Sequence, residues 1–409
     1  EMIKEIAEKN KISVSLPQDF YVKVSEKHLG EKITEGKIDV SGLIETKMLF
    51  YGDKKDFSAQ VIKVFDNAVV LDQTCFYGRS GGQEPDSGFI DNQNVYDVEK
   101  IGNIIVHYVE NPRFEEGDVV RCKIDSERRG QITKHHTATH IINAASRSVL
   151  GNHIWQAGAF KDVDKARLDI THYELPTDEQ RNKIEDIANK IVKDGLDIKK
   201  HVLPRVLAEK KYGFRIYQGG VVPESDLRIV EILSKNKTVD VEACGGTHCN
   251  NTKDVGEIII TGAERIQDGI VRLVFSAGKS AEMKKMKQKE IVKKCSSLLG
   301  VSENLVVSEA RKLFKKWKML KKNLEIEEKS YAEKTSKQLE KKFTKNILIE
   351  KLEANMNQLQ AVSKILSNEN RILVLFGVKD KIYVFGSAGK NTSVDIGNII
   401  SELCRKLGG

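Results

Sequence analysis

Two pairs of potential metal ligands constrain the fold of this chain more than any other feature of its sequence. His136 and His140 form the first pair, and Cys244 and His248 form the second. Within each pair the residues stand four positions apart, a spacing that places Cβ atoms about 5–6 Å from each other on one face of a helix. If all four side chains reach one ion, the fold must bring two distant segments together.

The two pairs lie in different local contexts. Apolar residues recur at helical spacing over residues 126–150, and Gly151 follows, so the sequence predicts a helix that carries both histidines of the first pair on one face. Gly245 and Gly246 separate the second pair and allow a tight turn around one centre. A helix face and a turn can therefore supply two ligands each.

Three imidazoles and one thiolate form a borderline-soft ligand set, which suits zinc better than magnesium or calcium. Four protein ligands are typical of a closed structural site, whereas a catalytic site keeps one position open, and the spacing does not choose between them. Thr137 stands where the HExxH motif of metalloproteases has its glutamate, so peptide hydrolysis by that route is not expected. His135 and Cys249 are second-rank alternatives as ligands.

A basic segment distinguishes the later part of the chain. The whole chain carries a formal charge of +8, but residues 279–345 hold 19 lysines and one arginine against nine glutamates, a net +11 that leaves −3 elsewhere. Such a block indicates a polyanion partner, most plausibly nucleic acid, although a solvated helical face has the same composition. Apolar residues alternate at spacings of four and three from Val306 to Tyr331, which predicts a coiled coil or a helical hairpin.

The remaining composition indicates a cytoplasmic protein without a membrane segment. The sequence contains no run of about 18 apolar residues and no leader-like start. Its six cysteines are too scattered for a disulfide framework, which fits a reducing compartment. Because the chain begins at Glu1, inside what reads as a helix, we expect it to be a fragment of a longer protein.

The hydrophobic pattern predicts an α+β fold in five parts. These are a connector from an upstream domain (1–44), a small β-barrel-like subdomain (45–124), a zinc-containing α+β core (125–278), a basic helical coiled coil (279–368) and a small α/β globular unit (369–409). The last part shows two strands and one helix, which bury little apolar surface alone. We therefore expect it to pack against a partner chain or further sequence.

Six short motifs follow one another along the chain. They are Gly81-Gly82-Gln83 with Asp86 and Gly88, His136 to His140, Gly151-x-His153-x-x-Gln156-Ala157-Gly158, Arg167-Leu168-Asp169 with His172, Phe214 to Gly220, and Cys244 to His248. In this order they resemble the C-terminal half of an alanyl-tRNA synthetase of the archaeal type. The resemblance covers nearly the whole chain. Two positions depart from the family pattern. The family's Gly-Gly-Gln-Pro loop has Glu84-Pro85 after the glutamine here, and Ala159 stands where a serine often follows Gln-x-Gly.

The resemblance implies a zinc-dependent editing domain that hydrolyses wrongly charged tRNA(Ala), mainly the seryl and also the glycyl ester. It also implies a C-terminal part that dimerises the protein and binds the tRNA, and an aminoacylation domain upstream of this chain. Editing has a physical reason, because a synthetic pocket for alanine rejects a substrate with one additional hydroxyl only weakly. A second, hydrolytic site that recognises the hydroxyl solves that problem.

The candidate site residues follow from the motifs and the resemblance. Gln156 can donate and accept hydrogen bonds, so it is the candidate for recognising the serine hydroxyl or holding the attacking water. Cys244 is a candidate catalytic residue, as a ligand rather than as a nucleophile. The candidates for substrate contact besides Gln156 are Arg167, Asp169, Arg272, Gly81, Gly82 and Gln83. Ordinary ion pairing is an equally good interpretation of Arg272.

Three alternatives stay open at this point. A free-standing deacylase that edits in trans would use the same domain. The editing domain of a threonyl-tRNA synthetase carries similar metal motifs, although the basic helices and the Gly-Gly-Gln loop favour the alanyl family. A non-catalytic tRNA-binding and dimerisation protein with structural zinc is the alternative from a different functional class.

Overall fold

The computed structural model describes residue 9 and residues 38–218, 220, 224–234 and 237–406. Most of the predicted connector over residues 1–44 lies outside these described residues. The fold is mixed α+β, as the sequence predicts. The described residues form two compact units, one that ends at Gln288 and one that begins at Lys289. None of the helices in the described part of the chain is long and apolar enough to cross a membrane.

A closed barrel opens the first unit and confirms the predicted barrel-like subdomain. Its region contains β1 (Lys47–Met48), β2 (Asp56–Phe65), β3 (Ala68–Leu71), β4 (Gln73–Thr74), β5 (Gly88–Ile90), β6 (Gln93–Ile101), β7 (Ile104–Val109) and β8 (Val119–Ile124). The barrel closes in the order β2-β3-β7-β6-β5-β8. In β2 the buried residues Phe57, Ala59 and Val61 alternate with exposed ones, so every second side chain points into the barrel core.

The α+β core follows directly after β8. It consists of α1 (Ser126–Leu150), β9 (Gln156–Lys161), β10 (Ala166–Thr171), α2 (Asp178–Asp194), β11 (Asp197–Pro204), α3 (Arg205–Tyr212), β12 (Asp226–Ser234), β13 (Lys237–Ala243), β14 (Ile258–Gln267) and β15 (Ile270–Ala277), with 3-10 turns at Phe214–Ile216 and Thr252–Val255. One antiparallel sheet has the order β14-β15-β10-β9, and the other has the order β11-β12-β13. Apolar side chains of α1, α2 and both sheets form one hydrophobic core.

Helix α1 is the element that positions the first ligand pair. It begins after Asp125, whose side chain accepts a hydrogen bond of 3.0 Å from the backbone N of Arg128, and it ends before Gly151. Ile141 and Ala145 pack into the core, and His136 and His140 lie on buried faces of the same helix. The predicted helix over residues 126–150 is confirmed.

The second unit has its own small sheet and core. After α4 (Lys279–Leu299), which spans the boundary between the units, come a 3-10 turn at Glu303–Leu305, α5 (Val306–Leu339), a 3-10 turn at Glu340–Lys342, β16 (Ile347–Leu352), α6 (Met356–Leu366), β17 (Ile372–Val378), β18 (Ile382–Ala388) and α7 (Ile396–Lys406). Strand β17 pairs with β16 in parallel and with β18 antiparallel.

The sheet of the second unit differs from the sequence expectation in one respect. The sequence indicated two strands after residue 368, whereas β16 adds a third strand from the segment expected to be helical. Leu348 of β16 packs with Leu359 of α6, Leu373 of β17 and Leu339 at the end of α5. The three strands and two helices thus bury a core that two strands would lack. Whether α4 and α5 pair as a coiled coil stays a prediction.

Candidate metal centre

The structure brings the four predicted ligand side chains together. His136 and His140 come from successive turns of α1, and Cys244 and His248 come from the segment that follows β13. Sγ of Cys244 lies 3.3 Å from Nε2 of His136 and 3.3 Å from Nε2 of His248, and the ligand atoms of all four residues lie within 4.8 Å of one another. Tetrahedral zinc with bonds of about 2.0–2.3 Å separates its ligands by about 3.3–3.7 Å. The donor set and these distances therefore fit zinc.

The turn between the second pair lies close against α1. A Cβ atom at Gly246 would stand 1.9 Å from Cε1 of His136, so any side chain at this position would displace the imidazole. Nη1 of Arg228 donates hydrogen bonds to the carbonyl oxygens of Cys244 (2.6 Å) and Gly246 (3.0 Å). The sequence predicted the tight turn, and Arg228 is the partner that sequence reasoning missed.

Gln83 of the glycine loop holds the ring of His136. Its Oε1 accepts hydrogen bonds from Nδ1 of His136 (2.7 Å) and from the backbone N of Thr247 (3.0 Å), while its Nε2 lies 3.0 Å from Oγ1 of Thr247. The backbone N of Thr247 can only donate, so the amide orientation follows from the network itself. With Nδ1 protonated, Nε2 of His136 is the free atom, and it is the one that faces Cys244.

Thr137 has a similar role for the second pair. Its hydroxyl donates to the carbonyl oxygen of Thr133 (2.9 Å) and accepts from the backbone N of Cys249 (3.1 Å). Nδ1 of His248 lies 3.4 Å from the same hydroxyl oxygen, and its Nε2 faces Cys244. The residue that replaces the metalloprotease glutamate therefore supports a ligand.

The two second-rank alternatives lie outside the ligand cluster. Nδ1 of His135 lies 2.5 Å from the carbonyl oxygen of Asp162, and its Nε2 lies 3.1 Å from Nε2 of Gln131. Burial lowers the pKa of His135 to about 4, so this ring is neutral near pH 7. Burial also raises the pKa of the Cys249 thiol, which disfavours the thiolate that a metal requires.

Two buried carboxylates that sequence reasoning missed flank His140. Oε2 of Glu242 lies 3.3 Å from Nε2 of His140, and Oδ2 of Asp240 lies 3.4 Å from its Nδ1. Burial raises the pKa of Glu242 to about 7, against the lowering effect of the charge on His140. Nδ2 of Asn143 donates a hydrogen bond of 2.9 Å to Oε1 of Glu242. The available signal was the alternation of Asp240, Glu242 and Cys244, which places all three on one side of an extended chain.

The surroundings keep two of the four ligands neutral. Burial lowers the pKa of His136 well below its usual range, and the nearby Lys161 cation acts in the same direction. Burial likewise lowers the pKa of His248, and the charge on His140 adds to the effect. Neutral imidazoles are the form that binds metal, so these two rings need no deprotonation.

Cys244 and His140 behave as a proton-sharing pair. Burial by itself would lower the pKa of His140, but the carboxylates of Glu242 and Asp240 outweigh it and raise that pKa well above its usual range. Burial by itself would raise the pKa of Cys244, but hydrogen bonding to His140, its charge and that of Lys161 lower it. Metal-free, the pair favours a thiolate beside an imidazolium.

A cavity of about 590 Å³ opens onto the ligand cluster. Its lining includes His136, His140, Cys244, Glu242, Gln156, Gln218, Lys161, Gly81, Gly82, Tyr51, Tyr77, Lys100 and Arg228. The backbone N of Gln156 donates to Oε1 of Gln218 (2.9 Å), which holds the start of β9 at the cavity wall. The cavity therefore brings Gln156, Gly81 and Gly82 next to three of the four ligands.

The Gly-Gly-Gln loop packs directly on β9. Gly82 has φ +71°, and a Cβ atom there would lie 2.0 Å from the carbonyl oxygen of Ala159. The backbone N of Lys161 donates to the carbonyl oxygen of Gly82 (2.8 Å), and Nζ of Lys161 donates to that of Gly81 (3.0 Å). Burial lowers the pKa of Lys161, which places a desolvated cation at the cavity wall. The glycine loop, a candidate for substrate contact, thus makes its close backbone approach toward β9.

The three remaining predicted substrate contacts lie on the sheet beside this site. Oδ1 and Oδ2 of Asp169 accept hydrogen bonds from Nε (2.7 Å) and Nη2 (2.9 Å) of Arg272 on the neighbouring strand. The guanidinium of Arg167 lies 5.4 Å from the ring centroid of Phe160. These three residues are not part of the cavity lining. Asp169 is nevertheless close to it, because Gly158 lines the cavity and a Cβ atom there would lie 3.3 Å from Oδ2 of Asp169. Their substrate roles stay predictions.

Two family models match parts of the chain. Residues 1–128 match the model described as tRNA synthetases class II (A). Residues 227–274 match the model described as Threonyl and Alanyl tRNA synthetase second additional domain. The second match contains Asp240, Glu242, Cys244 and His248, and so includes one ligand pair with its carboxylate neighbours.

The chain is also similar to one part of longer proteins. It is 41% identical to the alanine–tRNA ligase of Pyrococcus abyssi over 100% of this chain and 46% of the relative. It is 41% identical to that of Pyrococcus furiosus over 92% of this chain and 42% of the relative. For Methanococcus vannielii the identity is 38%, over 100% of this chain and 47% of the relative. The chain thus spans slightly less than half the length of the relatives it matches.

Proposed function

Because this chain belongs to the alanyl-tRNA synthetase family, we propose that it hydrolyses wrongly charged tRNA(Ala). Its archaeal relatives match it over their C-terminal half. The proposed substrates are mainly seryl-tRNA(Ala) and also glycyl-tRNA(Ala). The observation that carries the proposal is the cavity of about 590 Å³ beside His136, His140 and Cys244. A structural four-ligand site is normally closed, whereas this cluster faces a space of the size that small-molecule ligands occupy.

The proposal assigns a zinc ion to His136, His140, Cys244 and His248. The separations of 3.3 Å from Sγ to two imidazole nitrogens, and the mixed nitrogen and sulfur donors, support zinc over harder cations. When bound, zinc would supply a Lewis acid beside the ester carbonyl or a template for the amino group. Cys244 serves as a ligand, because a thiolate between two imidazoles is poorly placed to attack an ester.

Gln156 is the residue we assign to recognition of the serine side chain. Its position is set by the hydrogen bond of its backbone N to Gln218, whose Oε1 also accepts from Nδ2 of Asn143 (3.2 Å). The side-chain amide can therefore offer a donor and an acceptor to the hydroxyl from a fixed backbone. A site that hydrogen-bonds a hydroxyl discriminates strongly against the analogue that lacks it, which separates serine from alanine. This contact has no part in the proposed hydrolysis of the glycyl ester.

Glu242 and Asp240 flank the third imidazole of the set. Their carboxylates lie 3.3 and 3.4 Å from the two ring nitrogens of His140, and only the carboxylate at the nitrogen that does not bind the metal can accept its N–H. Carboxylates in this position increase the basicity of a ligating imidazole. We assign the carboxylate at the nitrogen that does not bind the metal as the positioning residue for His140, and the other carboxylate as a neighbouring negative charge.

The proposal extends to partners and location. We propose that tRNA(Ala) is bound partly by the basic segment over residues 279–345, with its net charge of +11. Self-association as a homodimer is supported by apolar side chains of α5 that are about half exposed, namely Leu313, Trp317, Leu320 and Leu324. A cytoplasmic location, where tRNA is charged, belongs to the same proposal.

Deacylation of seryl-tRNA(Ala) tests the proposed function. We expect the zinc-loaded chain to release serine from seryl-tRNA(Ala), to leave alanyl-tRNA(Ala) largely intact, and to lose the activity on chelation and regain it on addition of zinc. Seryl-tRNA(Thr) serves as the comparison substrate, because one matched model also covers threonyl enzymes. If the zinc-loaded chain binds tRNA(Ala) but hydrolyses none of these esters, the non-catalytic alternative is correct.

A further inference from the structure

A basic groove runs along one side of α1 in the first unit. One cavity of about 300 Å³ lies beside Thr247 and His248, and another of about 900 Å³ lies beside the start of α4. Both are lined by Ser126, Gly130 and Lys134, which are spaced four residues apart and share one face of the helix. The two cavities therefore form one continuous surface, which we call the α1 groove.

The α1 groove meets the metal-site cavity at one end. Phe50, Tyr51 and Arg228 line both the groove and the cavity onto which the ligands open. The guanidinium of Arg228 lies 4.2 Å from the ring centroid of Tyr51, whose hydroxyl donates to the carbonyl oxygen of Gly245 (2.8 Å). A half-exposed aromatic ring thus stands where the groove and the cavity adjoin.

Positive charge predominates along the groove. Its lining contains nine cationic side chains against four carboxylates. The cations are Lys55, Arg129, Lys134, Lys165, Lys200, Arg228, Lys279, Lys284 and Lys287, and the carboxylates are Asp53, Glu127, Asp164 and Asp254. Arg129 is buried and ion-paired with Asp86, so its charge is already compensated. The other eight cations are spread along the groove, and they suit an extended polyanion better than a single small anion.

Four of these lysines have no partner among the described residues. The ammonium groups of Lys55, Lys134, Lys165 and Lys287 make no hydrogen bond or ion pair there, although Lys55 and Lys134 are half-buried. Burial and the charge of Arg129 lower the pKa of Lys55. The charges of Asp86 and Asp53 offset only part of this effect on Lys55. Partly buried ammonium groups without an ion pair are unfavourable, and a bound polyanion would reduce that cost.

We propose that the α1 groove binds the phosphate backbone of RNA and leads its 3′ end toward the metal-site cavity. This inference rests on the proposed function for the identity of the RNA, since an aminoacyl ester at the metal site belongs to a tRNA 3′ end. The lysines supply sequence-independent phosphate contacts, and Tyr51 offers a ring on which a base can stack. The only cations that the groove shares with the basic segment over residues 279–345 are Lys279, Lys284 and Lys287, and these three lysines belong to the first unit.

Removal of the four unpaired lysines tests the groove. The variant carries Lys55→Gln, Lys134→Gln, Lys165→Gln and Lys287→Gln. The matched control carries Lys183→Gln, Lys190→Gln, Lys193→Gln and Lys199→Gln, four exposed lysines of α2 and β11 outside the groove, and so loses the same net charge. Binding of the full chain to a labelled hairpin of the tRNA(Ala) acceptor stem with its single-stranded 3′ end is measured by fluorescence anisotropy at several salt concentrations.

We expect the groove variant to bind the hairpin at least tenfold more weakly. The slope of log affinity against log salt should be smaller in magnitude by about 3, because each of four lost phosphate contacts contributes about 0.7–0.9. The control should keep both values close to those of the unsubstituted chain. Equal affinity and slope for the groove variant, or an equal loss in the control, would overturn the proposal. So would competition by polyglutamate as strong as that by RNA of equal charge.

The assay separates this proposal from the proposed function, because it uses uncharged RNA and requires no hydrolysis. Zinc content and circular dichroism of both variants show whether they are folded. If the groove variant is misfolded, the pair Lys165→Gln and Lys287→Gln, both exposed, replaces it with an expected slope change of about 1.5. Unchanged binding of that pair would equally overturn the proposal.

Discussion

Nδ1 of His136 and Oε1 of Gln83 are joined by a hydrogen bond of 2.7 Å, and this bond links the barrel to the metal centre. Gln83 is 1% exposed, so water does not compete for its amide. A histidine ligand whose second nitrogen is held in this way has its ring orientation and tautomer fixed before a metal arrives.

Replacement of Gln83 by Ala should therefore weaken zinc binding without removing a ligand. Loss of such a supporting hydrogen bond typically costs about 10–100-fold in metal affinity. Competition with a chromophoric chelator measures the change. Gln73→Ala is the matched control, because Gln73 lies in the same barrel region and donates its own hydrogen bond to the carbonyl oxygen of Ser58. Equal zinc affinity in Gln83→Ala and Gln73→Ala would contradict the role of Gln83.

Cys244→Ala should remove the metal, and with it the proposed deacylation. The remaining three imidazoles lack the thiolate that completes the set. Cys249→Ala is a close control, since Cys249 interacts with Thr137 through its backbone N and its thiol lies outside the cluster. Elemental analysis should find zinc in Cys249→Ala and little in Cys244→Ala. Full occupancy in Cys244→Ala would exclude this ligand set.

Zinc affinity should increase with pH through the neutral range. The pKa of His140 is raised and that of Cys244 is lowered, so the metal-free pair holds one proton that zinc must displace. A raised pKa keeps that proton bound up to a higher pH, so competition with the metal grows as the pH falls. Isothermal titration calorimetry in buffers of different ionisation enthalpy should show release of about one proton. A binding enthalpy independent of the buffer would contradict the shared proton.

The convergence of the four candidate ligands could be predicted from the sequence because their spacing is local. Spacing within a helix and within a turn determines which side chains can converge, and both motifs are short. The sequence did not identify Gln83 and Glu242 as neighbours of the ligand histidines, because their positions depend on pairing between distant segments. Gln83 reaches His136 only after the loop packs on β9, and Glu242 faces His140 only because β13 lies beside α1.

Strand β16 shows the same limit in the second unit. The segment Ile347–Leu352 follows a long lysine-rich helix and is too short to show a decisive alternation. Its identity as a strand depends on parallel pairing with β17, which begins after the intervening helix α6. Patterns of composition indicate where such pairing is possible, but the register arises from packing.

Asp169 and Arg272 should stabilise the sheet that carries β9. Their two-point hydrogen bonds of 2.7 and 2.9 Å join β10 to β15, and both side chains are largely shielded from water. We expect Asp169→Ala and Arg272→Ala each to cost about 1–2 kcal/mol of stability, and the double variant to cost less than their sum. Thermal unfolding of the three variants measures this coupling. Additive losses, or a raised KM at unchanged stability, would favour the substrate role instead.

Self-association should depend on the apolar face of α5. Leu320→Glu with Leu324→Glu places charges in the exposed seam and should shift the chain toward monomer at micromolar concentration. Lys315→Glu is the control, because Lys315 lies about 140° around the helix from Leu320. Light scattering gives the mass of each form. A monomer mass for the unsubstituted chain would contradict the dimer.

The contact between the glycine loop and β9 has a consequence for dividing this protein into modules. All four ligands lie between residues 136 and 248, so a fragment that begins after the barrel would contain the complete donor set. Such a fragment would nevertheless leave Nδ1 of His136 without its acceptor and Lys161 without the carbonyl of Gly81. A transplanted or minimised version of this site must therefore carry the barrel loop with it, or supply a substitute for one glutamine that lies far from the ligands in sequence.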